Sequence, residues 1–156
     1  MVRQAWRPAT PRNSVNDDED FYGWTVEQSR LLRSGELSAI DAANIAEEIE
    51  SIGRSDRREL KNRLVVLLMH LLKWRHQPGG RSRGWSATID VQRLQIEGIL
   101  GESPSLRPSV AVLLAEAHAI VRAGAIAETG LADEAFPEAC PFTADEAPSR
   151  SFLPAR

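Results

Sequence analysis

The segment from Leu60 to Trp74 constrains the fold more than any other part of the sequence. Its leucines recur at intervals of three and four residues, which is the spacing of one face of an α-helix, and Leu64 to Leu72 is apolar nearly all round. A helix of that kind is covered on every side, so it belongs at the centre of a core. Ser55 is a favourable N-cap and Pro78-Gly79-Gly80 interrupts the pattern, which predicts a helix over 55–76.

Apolar stripes at the same spacing predict four further helices, over about 19–34, 40–52, 85–100 and 106–128. A glycine follows each of these stripes or lies just beyond it and is expected to end the helix: Gly35, Gly53, Gly101 and Gly130. No segment has the pattern of a strand, and 156 residues with 42% hydrophobic content are enough for one core. The sequence therefore predicts an all-α, single-domain helical bundle of about five helices over 19–143. A disordered N-terminal arm is expected over 1–18 and a proline-rich C-terminal tail over 144–156.

Charge is distributed unevenly along the chain. From Arg54 to Arg83 there are nine basic residues against two acidic ones, whereas Asp41 to Gly53 holds four acidic residues and no basic one. In one interpretation, the basic residues form a solvated face that pairs with acidic neighbours. In the other, a subset of them binds phosphate or nucleic acid. That candidate anion-binding set is Arg57, Arg58, Lys61, Arg81 and Arg83.

The net charge of −3 and the absence of a nucleic-acid-binding motif favour the first interpretation, and nucleic acid is kept as the alternative partner. The single cysteine, Cys140, excludes an intramolecular disulfide and fits a reducing compartment. No uninterrupted apolar run approaches the ~20 residues of a transmembrane helix, and no secretory signal is evident. We therefore expect a cytoplasmic protein without membrane association.

Several blocks of the sequence resemble, in order, the family called domain of unknown function 29. They are DFYGWTVEQSRLLRSG, NIAEEIESIGRSDRRELKNRLVVLLMHLLKW, QPGGRSRGWSATIDVQRLQIEGIL, SPSLRP and AETGL…FPEACPFT, and they extend from about Asp20 to Thr143. The resemblance implies a helical bacterial protein. It implies no activity, so it supplies no catalytic residues. Gly79-Gly80 departs from the bulkier residues more usual in the family at this point, and the loop is expected to be looser here.

Polar residues interrupt the apolar stripes at Gln28, Asn44, Glu48, His70 and Gln92. A buried polar group without a partner costs about 1–3 kcal/mol, so these groups should find one another or a ligand. If the helices over 40–52, 55–76 and 85–100 are neighbours, four residues converge: Glu48, His70, Lys73 and Gln92. A structural hydrogen-bond network is the favoured interpretation, and an acid–base pocket of an enzyme is the alternative. The Glu-x-x-His spacing of a two-metal bundle is missing, so no metal or cofactor is predicted.

The predicted function is that of a non-enzymatic interaction or regulatory module with an unknown protein partner. This prediction rests on two features of the sequence: the predicted helices have charged faces, and no catalytic motif is present. We also expect a homodimer, in which a symmetry mate covers part of the 55–76 helix. Two alternatives stay open: an enzyme that uses the Glu48–His70 pocket, and binding of nucleic acid or another anion through the basic segment.

Overall fold

Four α-helices are present among the residues that the structure, a computed structural model, describes, which are 20–130 and 135–155. They are α1 (Phe21–Ser34), α2 (Ala42–His76), α3 (Arg83–Glu102) and α4 (Val110–Thr129). Short 3-10 turns at Pro78–Gly80 and Pro104–Ser109 precede α3 and α4. The described ranges contain no strand, and the predicted all-α class is confirmed. The predicted N-terminal arm, residues 1–18, lies outside the described residues.

The prediction of five helices was wrong, because the segments over 40–52 and 55–76 are one helix. Gly53 does not end α2: among the described residues only Gly35 and Gly130 have the positive φ of a helix-terminating glycine. A glycine inside a helix costs about 1 kcal/mol relative to alanine, which strong helix formers on both sides can outweigh. No proline lies near Gly53. The backbone hydrogen bonds of the helix can therefore continue without a break through this residue. Gly101 does not end a helix either, because α3 continues to Glu102 and Ser103 is its C-cap.

The remaining helix ends follow the sequence more closely. Asp20 caps α1, where its carboxylate accepts a hydrogen bond from the Gly23 amide at 2.9 Å. Gly35 then ends α1 with φ 75°. Ser82 caps α3 by accepting from the Trp85 amide at 3.2 Å, and Gly130 ends α4 with φ 65°. These are the terminal residue types that satisfy unpaired helix backbone groups at little conformational cost.

The chain divides into two compact units, with the boundary between Ser51 and Ile52. The second unit contains a continuous apolar core to which α2, α3, α4 and the C-terminal segment all contribute. Six leucines of α2 lie at its centre with no exposed surface: Leu60, Leu64, Leu67, Leu68, Leu71 and Leu72. The predicted central helix is therefore covered by its own chain. The apolar character of this helix was the reason for expecting a symmetry mate to cover it, and that reason does not hold.

The C-terminal segment contributes directly to that core. Phe136, Phe142 and Ala147 are buried, and Phe142 packs edge-on against Phe152 with ring centroids 5.8 Å apart. Thr143 and Glu146 exchange hydrogen bonds between their side chains and each other's amides, at 3.1 and 2.9 Å, which is a capping box around a single turn. The described C-terminal segment is therefore a packed part of the second unit.

The stretch Pro104–Glu128, which includes all of α4 except its last residue, is long and apolar enough by length and composition to cross a membrane. A core helix passes the same test, and one side of α4 does lie in the apolar core, through Val110, Leu113, Ala117 and Val121. The expected absence of membrane association stays a prediction.

Gly80 lies in closer packing than the sequence suggested. A Cβ at this position would come within 2.8 Å of the Trp85 indole. Real Cβ atoms are almost never found at such a distance, so the glycine lets the 3-10 turn approach the tryptophan ring. The Gly79-Gly80 loop is therefore packed at its second residue, where a looser loop was expected.

Candidate functional site

The four residues of the predicted polar pocket do not project from three neighbouring helices as the prediction required. Glu48 and His70 are both on α2, and only Gln92 is on α3. His70 has its Nδ1 2.9 Å from the Val66 carbonyl of its own helix. Because a carbonyl oxygen can only accept, that nitrogen donates to it.

The other members of the pocket have separate surroundings. Lys73 forms an ion pair with Glu128 on α4. Gln92 is buried, and its Oε1 has no hydrogen-bond partner in the structure. Within the described part of the second unit, no hydrogen bond or ion pair joins any two of His70, Lys73 and Gln92.

Two further polar interruptions, Gln28 and Asn44, have a structural role within the first unit. The side-chain oxygen of Gln28 accepts from the Asp41 amide at 2.8 Å, just before α2 begins. Asp41 in turn accepts from the side-chain amide of Asn44 at 2.7 Å and from its backbone amide at 3.3 Å. Gln28 is thus tied to the start of α2, which agrees with the structural interpretation of these residues.

The basic segment is partly neutralised in the second unit. Arg57 and Lys61 both bind Glu116 of α4, at 3.3 and 2.9 Å. These two cations hold the pKa of the Glu116 carboxyl below its usual value, mainly through the hydrogen bond from Lys61. Arg81 lies over the Trp74 ring, 5.2 Å from its centroid, and its Nε donates to the Trp74 carbonyl at 2.8 Å. Arg58 and Arg83 are exposed and have no side-chain partner among the described residues.

Sequence reasoning missed the burial of His118 in the second unit. His118 on α4 is 1% exposed, and its Nε2 atom, like that of the partly buried His76, has no hydrogen-bond partner among the described residues. Burial, reinforced by the nearby charges of Arg122 and Arg75 respectively, lowers the pKa of each imidazole. The signal for His118 was present, because it lies four residues after Leu114 and three before Val121 on the buried stripe of α4.

Arg93 on α3 is the second omission, and it is the most deeply buried cation of the described chain. It is 2% exposed, and its guanidinium donates to the carbonyls of Ala147 at 3.0 Å and Phe152 at 2.7 Å. Its spacing from Ile89 and Ile96 places it on the buried stripe of α3. Arginine is usually exposed to solvent, so its charge hid this signal.

Cys140, the one cysteine of the chain, is partly buried in the second unit. Burial raises the pKa of the Cys140 thiol, which disfavours the nucleophilic thiolate, although a hydrogen bond with the Phe142 backbone acts in the opposite direction. Across residues 20–130 and 135–155, no three His, Cys, Asp or Glu side chains cluster in a way that could hold a metal ion.

The first unit presents large apolar side chains to solvent. Tyr22 is 79% exposed and Ile49 is 64% exposed, whereas Trp24 and Leu31 are buried. The apolar surface of the first unit consists of Phe21, Tyr22, Val26, Leu32, Leu37 and Ile49. The described residues of the second unit expose seven large apolar side chains along a much longer stretch of chain, so exposed apolar residues are denser in the first unit.

These features define an all-α protein with a self-contained core in one unit and an apolar surface on the other. The family model "Domain of unknown function DUF29" matches residues 18–153, which is nearly the whole chain. The chain therefore belongs to this family, as the resemblance of its sequence blocks indicated. No curated protein and no solved structure matches it.

Proposed function

We propose that this protein is a non-enzymatic, cytoplasmic interaction module that self-associates through the apolar surface of its first unit. The observation that carries the proposal is the exposure of six large apolar side chains within residues 20–51. Each fully buried side chain of this size contributes about 1.5–3 kcal/mol, so covering even part of the surface provides a substantial driving force for association.

Helix α1 offers a geometry suited to a second copy of the chain. Tyr22, Val26, Ser29 and Arg33 recur at intervals of four, three and four residues, so they share one exposed face of the helix. Val26, Ser29 and Arg33 also line a shallow, open depression of about 620 Å³ on this helix. The face is apolar at its N-terminal end and cationic at its C-terminal end.

Such a face complements itself when two copies of α1 pack antiparallel about a twofold axis. The axis brings Tyr22 of one copy beside Arg33 of the other, and the same contact is repeated at the opposite end. A guanidinium over a tyrosine ring is attractive, and Arg33 has no side-chain partner among the described residues. Arg30 is already occupied, since it binds Glu27 and Glu36, both at 3.0 Å.

The two alternative functions have less support. An acid–base enzyme would require a shared pocket, whereas His70 and Lys73 have separate partners. Binding of nucleic acid would require a continuous cationic surface, and Glu116 neutralises two members of the predicted set.

Sedimentation equilibrium of the full chain from micromolar to millimolar concentration tests the proposal. We expect a reversible monomer–dimer equilibrium. The double variant Tyr22→Ser/Val26→Ser should shift it strongly towards the monomer, because it removes two apolar contacts from each copy, four in the dimer. Arg33→Glu should weaken the dimer as well, since it replaces the cation beside the Tyr22 ring with an anion.

The matched control is Val91→Ser/Leu94→Ser on α3, two exposed apolar residues of the second unit. This variant should associate like the original protein. A monomeric mass at millimolar concentration would contradict self-association, and dissociation by the control but not by the α1 variants would contradict the assigned surface.

A further inference from the structure

The second unit contains a groove that combines arginines with an apolar floor. It lies between α3, the 3-10 turn before α4 and the C-terminal segment, and its volume is about 360 Å³. An adjoining depression of about 440 Å³ shares Leu100, Arg107 and Pro148 with it. Volumes of roughly 300–1,000 Å³ are typical of sites for small molecules.

Arg93 lines the groove and is its one deeply buried cation. Its two hydrogen bonds go to backbone carbonyls, and no carboxylate of the described chain lies within ion-pair distance of it. Burial lowers the pKa of its guanidinium, and the charge of Asp90 offsets this only in part. A buried cation is costly unless it is paired, so the structure has a place for a negative charge here.

Two more arginines line the same groove. The side chain of Arg107 is exposed and has no partner among the residues described. Arg150 is paired with Glu97 across the groove at 3.2 Å, and both side chains are largely exposed. Asp145 lines the adjoining depression. Even with both acidic residues counted, the three arginines leave the lining net positive.

We infer that this groove binds a small organic oxyanion, a carboxylate or a phosphate monoester attached to a short apolar group. Guanidinium groups present planar pairs of N–H donors that match the oxygen atoms of such anions. Ile96, Leu100 and Pro148 line the groove with apolar surface and would contact the organic part of the ligand. The inference concerns the second unit alone and is independent of the self-association proposed above.

Nuclear magnetic resonance on the ¹⁵N-labelled full chain provides the test. Phenyl phosphate and benzoate are titrated separately, with phenol as the uncharged control and inorganic phosphate as the control without an apolar group. We expect the arginine Nε–H signals of the groove to shift with at least one organic anion. That anion should bind more tightly than inorganic phosphate, and phenol should cause no such shift.

Arg107→Gln should weaken the binding about tenfold or more, because it removes a charge-assisted hydrogen bond. This variant is expected to fold normally, since the Arg107 side chain is exposed and forms no hydrogen bond or ion pair with the described residues. Arg75→Gln, which removes an exposed arginine at the end of α2, should leave the affinity unchanged.

Three results would overturn the inference. They are the absence of arginine shifts with both organic anions, equal binding of phenol, and an affinity that Arg107→Gln leaves unaltered. A stronger response to phenyl phosphate than to benzoate would assign the site to phosphate monoesters, and the reverse would assign it to carboxylates.

Discussion

The two units of this protein cover their apolar residues to different extents. Between Asp20 and Ser51 only Trp24 and Leu31 are buried apolar residues, whereas from Leu60 onward the buried residues form a continuous core. Local hydrogen bonds, such as the one from the Asp41 amide to Gln28, shape the first unit. The second unit is stabilised by packing between residues that are far apart in sequence. The first unit is therefore the one whose stability should respond to a partner.

Truncation of a core leucine should have the largest effect on stability. Leu67→Ala removes a side chain with no exposed surface, and such changes cost about 2–5 kcal/mol because a cavity remains. Ile49→Ala on the same helix, measured in the dilute monomer, should change stability by less than about 0.5 kcal/mol, since Ile49 is exposed there. Denaturation by urea measures both. Equal losses for the two variants would show that the units do not differ as described.

Arg93→Met should destabilise the second unit by about 2 kcal/mol. The change removes the guanidinium hydrogen bonds to the Ala147 and Phe152 carbonyls, while methionine retains much of the apolar length. Hydrogen exchange should accelerate at the Ala147 amide, which bonds the Thr143 carbonyl. Unchanged exchange at that amide would mean that the C-terminal segment is held by its aromatic contacts alone.

Replacing a glycine by alanine should lower stability in the first unit and raise it in the second. Gly35→Ala places a Cβ at φ 75°, which costs about 1 kcal/mol and should accelerate hydrogen exchange in α1. Gly98→Ala fills open space in the interior of α3 and should stabilise the protein by up to about 1 kcal/mol. Destabilisation by Gly98→Ala would contradict the assignment of open space around that residue.

Acidification should destabilise the second unit through His76 and His118. Because the pKa values of His76 and His118 are lowered in the folded protein, the unfolded chain binds more protons as pH falls through the usual imidazole value of 6.5. The free energy of unfolding should therefore decrease from pH 7 to pH 5. His118→Gln should reduce this dependence, which urea denaturation at a series of pH values can measure. An unaltered slope would contradict the role given to His118.

The sequence predicted the helical class because apolar periodicity follows directly from helix geometry. The capping roles of Gly35, Ser82 and Gly130 fit the residue preferences of helix ends, although only the two glycines were anticipated. Gly53 was misread, because a glycine ends a helix only where the backbone adopts a positive φ, and the sequence does not encode φ directly.

The candidate sites were harder to predict than the fold. Arg93 lies on a core stripe, but its burial depends on the carbonyls of Ala147 and Phe152, which approach only in the folded chain. Glu116 likewise neutralises Arg57 and Lys61 from 59 and 55 residues away. Such pairings are set by tertiary structure, so a local pattern of charges reveals neither the paired cations nor the ones that lack a partner.

The contacts of Arg93 also have a consequence for the protein during its synthesis. Its carbonyl partners lie 54 and 59 residues later in the chain. Until the ribosome has released that segment, the guanidinium has no native acceptor, and the side of α3 that carries it cannot be enclosed. Domains fold as units during translation when their parts become available. Helix α1 can therefore form early, whereas the second unit completes its core only after residue 152 has emerged.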